Sequence, residues 1–158
     1  MGLDITATRG LKPAPEECEL SHYIGSNDPQ FVERADIPPG HYTYSERMDF
    51  RAGSYSGYGK WRDDLAKLAG YEPIPADEYG HLYAAGAWMV SQGPFWELIN
   101  FTDCDGVIGA TVAKKLADDF DKFRDQARQH SDPFFRSLYD MWRAAFILAS
   151  DNGAVDFH

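Results

Sequence analysis

Two stretches of the chain alternate apolar and polar residues with the period of a half-buried strand. Residues 3–8 (LDITAT) form the first, with β-branched members that predict a short opening strand. In the second, Tyr42, Tyr44, Met48 and Phe50 fall on one face and His41, Thr43, Ser45, Arg47 and Asp49 on the other. Only Glu46 breaks this alternation, a carboxylate where an apolar side chain is due; its burial would make it a candidate acid or base, and a β-bulge would turn it to solvent. After Arg51 the composition turns to Gly and Ser (AGSYSGYG). A helical period then begins at Tyr58 with Trp61, Leu65 and Leu68 and stops at Gly70. The order predicted is strand, glycine-rich loop, helix.

Other segments carry weaker or different periods. Residues 12–39 are Pro-rich and acidic without a sustained period, which predicts a long surface excursion. Residues 77–90 repeat Tyr79, Leu82, Tyr83, Gly86 and Met89 at helical spacing, and 95–101 (FWELINF) is dense enough in aromatic and β-branched residues to predict a buried strand. From Ile108 to about Gln129 the residues Ile108, Val112, Leu116, Phe120 and Phe123 make an apolar stripe opposite a charged face. Ser131-Asp132-Pro133 reads as a cap and first turn for a helix too apolar to lie on the surface, ended by Asn152-Gly153. Residues 155–158 predict a closing strand at a sheet edge. The sum is a single α+β domain over 1–158, a small, mostly antiparallel sheet packed against three to four helices.

Composition narrows the function classes. A length of 158 residues is enough to bury a core without disulfides, and 44% hydrophobic with 25% charged residues is globular. The net charge of −10 argues against a nucleic-acid binder, which needs a basic face. Cys18 and Cys104 stand far apart and no secretory leader is recognisable, so free thiols in the cytoplasm are expected. No apolar run is long enough to span a bilayer. The aromatic share of 15%, much of it among polar and Gly residues, suggests stacking surfaces.

The candidate chemistry centres on the predicted glycine-rich corner. A strand turning into a helix start aims backbone N–H groups at one point, which suits a phosphate or carboxylate. Arg51, Lys60 and Arg62 would supply charge there, Ser54 and Ser56 hydroxyls, and Tyr55, Tyr58 and Trp61 ring faces. The competing reading is a structural turn whose tyrosines pack on the sheet, with Arg51 and Arg62 paired to Asp49 and Asp63. The match to a nucleotide-hydrolase phosphate loop fails, because Gly53 to Gly59-Lys60 is one residue too long and Trp61 stands where a Ser or Thr is required. Asp103-Cys104-Asp105-Gly106 resembles the first motif of haloacid-dehalogenase-like phosphatases over those few residues only. Its alternatives are a ligand contact and a helix cap at Ile108. No metal site is expected from the scattered histidines and the lone Cys18/His22 pair.

The opening MGLDI, then FRAGSYSGYGKWR, then FTDCDGVIG and the closing VDFH resemble a group of short phage and prophage-associated proteins. That resemblance implies a mobile-element protein working in bacterial cytoplasm, and brings no activity or catalytic residues with it. The expectation is a protein that binds a small anionic, nucleotide-like molecule without turning it over. In a phage setting this means sequestering a host immune signalling nucleotide. Arg51, Lys60 and Arg62 would hold phosphate, Tyr55, Tyr58 and Trp61 would stack, and Asp103 or Asp105 would accept from a ribose or base. No cofactor, nucleic acid or membrane partner is expected; self-association is left open. The alternatives are an acidic inhibitor of a host defence protein and a magnesium-dependent phosphohydrolase at Asp103 and Asp105.

Overall fold

The computed structural model describes residues 1–15 and 18–158; the two glutamates at 16 and 17, part of the expected excursion, lie outside the described residues. Two antiparallel sheets share one bent ribbon. Strands β1 (Gly2–Arg9) and β2 (Lys12–Pro13) run against β5 (Glu46–Ser54) and β4 (Gly40–Thr43), and Lys12 faces Thr43 in the register in which Arg9 faces Glu46. The bend falls at Gly10, whose φ of +66° only glycine adopts freely, against Ser45, whose N–H donates to the Arg9 carbonyl at 2.9 Å. The alternating stretch of residues 41–50 is therefore two strands in two sheets. Its odd member, Glu46, opens the second strand and pairs with Arg9 at 2.9 Å, exposed at the sheet end.

The larger sheet has the order β5-β1-β7-β6, with β6 (Gly106–Gly109) and β7 (Ala154–Phe157) completing it; all neighbours are antiparallel. Leu3, Ile5 and Ala7 of β1 point to one face, which is covered by the helices α1 (Tyr55–Leu68), α4 (Ala110–Lys122) and α6 (Pro133–Ala149). The opposite face is partly covered by the small sheet β2-β4-β3, with β3 at Ser21–Ile24; Leu11, Ile24, Tyr42, Val107 and Ala154 form a second core there. Helix α6 is central, as its sequence predicts, with Asp132 accepting from the Phe134 N–H at 2.9 Å and Pro133 in the first turn.

Several elements differ from the expectation. Residues 95–101 hold a short helix, α3 (Trp96–Ile99), because Phe95 adopts a left-handed φ of 57° after Gly93-Pro94 and turns the chain at once. Only Tyr83–Trp88 (α2) is helical within 77–90. Ile108 sits in β6 rather than in a helix, α4 starts at Ala110, and a break at Phe123 separates off α5 (Arg124–Arg128). Strand β7 lies in the middle of its sheet, not at an edge.

Over its described residues the 12–39 segment lies at the surface, with only Ile24 and Arg34 buried, but it is held there by fixed contacts. Its 3-10 helix (Pro29–Arg34) is tied into the domain by three side chains. Asn27 accepts from the Val107 N–H at 2.6 Å and donates to the Val107 carbonyl at 2.8 Å, completing the open edge of β6. Buried Arg34 donates to the carbonyls of Glu97 and Asn100 at 3.2 and 3.1 Å and lies over the Trp96 ring. Asp36 caps α4, accepting from the N–H groups of Ala110 and Thr111 at 3.1 and 3.0 Å. These ties fix Asp28, Gln30 and Phe31 opposite the start of α1.

Candidate functional site

The strand β5 runs through Gly53 directly into α1, with no loop between them. Ser54 is the cap, its hydroxyl accepting from the Gly57 N–H at 3.0 Å. Starting the helix at Tyr55 sets its phase. One face, Tyr58, Trp61 and Leu65, turns into the core, where Tyr58 (0% exposed) and Trp61 (2%) stack on Trp142 at 5.7 and 5.8 Å. The stacking role expected of Tyr58 and Trp61 is thereby corrected, because no ligand reaches rings in the hydrophobic interior. Another face, Tyr55, Ser56, Gly59 and Arg62, looks into a cleft of about 800 Å³.

The cations of the predicted corner diverge. Arg51 is on the outer face of the sheet in a two-pronged pair with Asp4 at 2.8 and 2.7 Å, and Lys60 is on the solvent side of α1 with Asp64 at 2.7 Å. Neither lines the cleft. Arg62 alone does, and it is already engaged: it donates to the Phe101 carbonyl at 2.9 Å, lies over the Tyr58 ring at 4.6 Å and stands 3.9 Å from Asp103. A shared cationic cradle for phosphate is thus not what the chain builds. Asp103 joins Arg62 at the cleft wall, whereas Asp105 is exposed outside it and neither caps a helix. The resemblance to a phosphatase motif lacks its helix as well, since the segment after Asp105 is β6.

Three further walls complete the cleft, and of their residues the sequence reading offers only Asp103, at the end of the second. Asp28, Gln30 and Phe31 come from the 3-10 segment, with Phe31 packed edge-on against Phe101 at 5.1 Å. Asn100 and Thr102 flank Phe101 on the second wall. The third is the loop of Asp77, Tyr79 and His81 together with Trp88 of α2. Asp63, on α1, accepts from the N–H groups of Tyr83 and Ala84 at 2.8 and 2.9 Å and so locks α2 beside the helix. The loop's only visible trace in the sequence is Asp77-Glu78-Tyr79-Gly80-His81, an aspartate ahead of a glycine that takes φ +84°.

In sum the lining is aromatic and rich in acceptors. Phe31, Tyr55, Tyr79, Trp88 and Phe101 offer ring faces or edges, Asp28, Asp77 and Asp103 offer carboxylates, and Tyr55, Ser56 and Thr102 offer hydroxyls. The cleft has the volume of pockets that accommodate small organic molecules. Among the described residues no three His, Cys, Asp or Glu side chains converge as a metal site would require, and no helix is long and apolar enough to cross a membrane. Cys18 and Cys104 are free and exposed. Compared with known proteins, the chain matches no family model, no curated protein and no solved structure.

Proposed function

We propose that this protein binds a small ring-bearing polar molecule, of nucleoside or nucleotide size, in the cleft beside α1. The observation that carries this reading is the cleft itself. A half-open cleft of about 800 Å³ is bordered by aromatic side chains from four separate segments, with part-buried polar contacts of Asn27, Arg34 and Asp63 holding those segments in place. Ring faces supply sequence-tolerant affinity and the polar atoms orient the guest. A phosphate, where the ligand has one, lies toward solvent or beside Arg62, since Arg51 and Lys60 are turned elsewhere. Carried by a phage, such a protein would act by sequestering a nucleotide-like signal of its host.

Ser56→Trp tests the site. Ser56 is exposed in the first turn of α1 and lines the cleft, so an indole there should fill the cleft without disturbing the interior. Calorimetric titration with nucleosides and their monophosphates should show binding to the wild type and none to the variant, at an unchanged melting temperature. Undiminished binding in Ser56→Trp would move the site elsewhere.

One observation favours a second reading, a surface inhibitor of a host defence protein. The cleft rim carries exposed Tyr79 (76%), Trp88, Met89 (73%) and Val90, an apolar strip on an otherwise acidic molecule.

A further inference from the structure

The larger sheet ends in two edges, and the chain treats them differently. At β6 the Asn27 side chain satisfies both backbone groups of Val107. At β5 no side chain does so. Asp4 exchanges backbone hydrogen bonds with His158 on the β7 side at 2.8 and 3.0 Å, so alternation along β1 turns Ile5 and Ala7 toward β5. Their partners Phe50 and Met48 face back to β1, which leaves the N–H and C=O groups of Arg47, Asp49 and Arg51 pointing out of the sheet. Among the described residues no hydrogen bond from outside the sheet reaches those groups.

Charges on an open strand usually keep another strand away. Here they alternate in sign along the edge: Glu46, Arg47, Asp49, Arg51. When β5 is laid antiparallel on a second β5 with Phe50 on the two-fold axis, the strands overlap over their whole length, and Asp49 of each copy stands opposite Arg51 of the other. Asp49 already accepts from Arg47, and Arg51 already donates to Asp4, so the pairing completes a row of alternating charge across the axis. Centring on Asp49 or Arg51 instead opposes like charges, and centring on Met48 cuts the overlap to Glu46–Phe50.

The helix layer adds an apolar complement. Helix α6 lies over β1, and on its α4 side Arg143 donates to Asp121 at 2.7 Å. Half a helical turn round, on the flank toward β5, Phe134 (54% exposed) and Met141 (40%) stand bare. Phe134 Cζ is 3.9 Å from the place of a Cβ on Gly53, and partly buried Met48 and Phe50 carry the strip down to the edge.

We infer that the open edge of β5 receives a second copy of this chain. The two β5 strands pair antiparallel about Phe50, so that two four-stranded sheets become one of eight strands. The α6 helices then lie three strand spacings apart, about 14 Å, a gap that Phe134 and Met141 of both copies fill. No residue of β5 lines the cleft, so this inference stands apart from the ligand reading.

Sedimentation equilibrium of the full chain tests it with two charge reversals, Arg51→Asp and Asp49→Arg. The wild type should reach twice 17.8 kDa, the mass of one chain, within the submillimolar range. Either variant alone sets like charges opposite one another twice per dimer and should associate at least about tenfold more weakly. In an equimolar mixture every carboxylate again faces a guanidinium, and mixed dimers should form with an affinity near that of the wild type. A wild type that stays monomeric over that range overturns the inference, as does a dimer that both reversals leave intact or a mixture no more associated than its parts. Where a melting curve shows a reversal to be unfolded, Met141→Glu takes its place, since Met141 is exposed on α6 and lies outside the strands. Weakened association in Met141→Glu supports the interface, and association as tight as in the wild type overturns it.

Discussion

Trp61 is wedged between Tyr58, Phe135 and Trp142, with its indole N–H directed at the Phe135 carbonyl 3.4 Å away. Removing it leaves a large cavity among rings that have no room to collapse, so Trp61→Ala should cost about 3–5 kcal/mol in chemical denaturation. Arg51→Ala, which breaks only a surface pair, should leave both stability and ligand affinity close to wild type. A Trp61→Ala protein of unchanged stability would contradict this placement. The helical period already marks Trp61 and Leu65 as a buried face, and that reading stands. What the residues 52–59 conceal is where the helix begins. Glycine and serine in such density look like a loop, yet Gly57 and Gly59 are helical and Ser54 is a cap, so Tyr58 moves from a binding surface to the core. Of the residues proposed from sequence as ligand contacts, Tyr55, Ser56, Arg62 and Asp103 share the cleft; Arg51, Ser54, Tyr58, Lys60, Trp61 and Asp105 do not.

Among the elements, α4 depends on a cap delivered from a residue more than seventy positions earlier. Burial tends to raise the Asp36 carboxyl, but hydrogen bonds from the Thr111 hydroxyl and the N–H groups of Thr111 and Ala110 more than offset this and leave it below the usual carboxylate range. A carboxyl lowered in the folded state stabilises the protein above its unfolded pKa, roughly 4, and that contribution is lost as pH falls through the lower folded value. Asp36→Asn should therefore cost about 1 kcal/mol at neutral pH, the scale of a lost helix cap, and the gap between variant and wild type should close as the pH is lowered toward 2 in urea melts. A gap independent of pH would remove Asp36 as an ionised cap. Such long-range ties explain why some elements were legible and others not. Helix α6 and strand β1 announce themselves through local pattern alone. In contrast, Gly106–Gly109 is a strand because it pairs with β7 and is closed off by the Asn27 side chain, while Ile108, Val112 and Leu116 happen to keep a helical spacing across its end. Likewise FWELINF has the composition of a strand, and it takes a backbone turn at Phe95 to make it a helix.

For the whole molecule, the α+β class and the mostly antiparallel sheet under helices could be read from the chain, because they follow from the alternation of strand and helix periods. The candidate site could be placed only to its neighbourhood, at the start of α1 and at Asp103, since the walls at 28–31 and 77–88 come from segments far apart in sequence that carry no motif. The acidic balance, a net charge of −10, does not leave a basic island at the strand-to-helix corner: Arg47, Arg51 and Lys60 each lie against a carboxylate. On the proposed reading, affinity in the cleft would then come from rings and oriented acceptors, with little salt dependence. The most direct measurement is mass spectrometry of the small molecules released when protein purified from bacterial cells is denatured, with Ser56→Trp treated in parallel. The wild type should release a ring-bearing compound in an amount comparable to the protein, and the variant none. Identical extracts from the two, together with one bacterial protein recovered at equal stoichiometry with both, would contradict a ligand-binding cleft and favour the surface inhibitor.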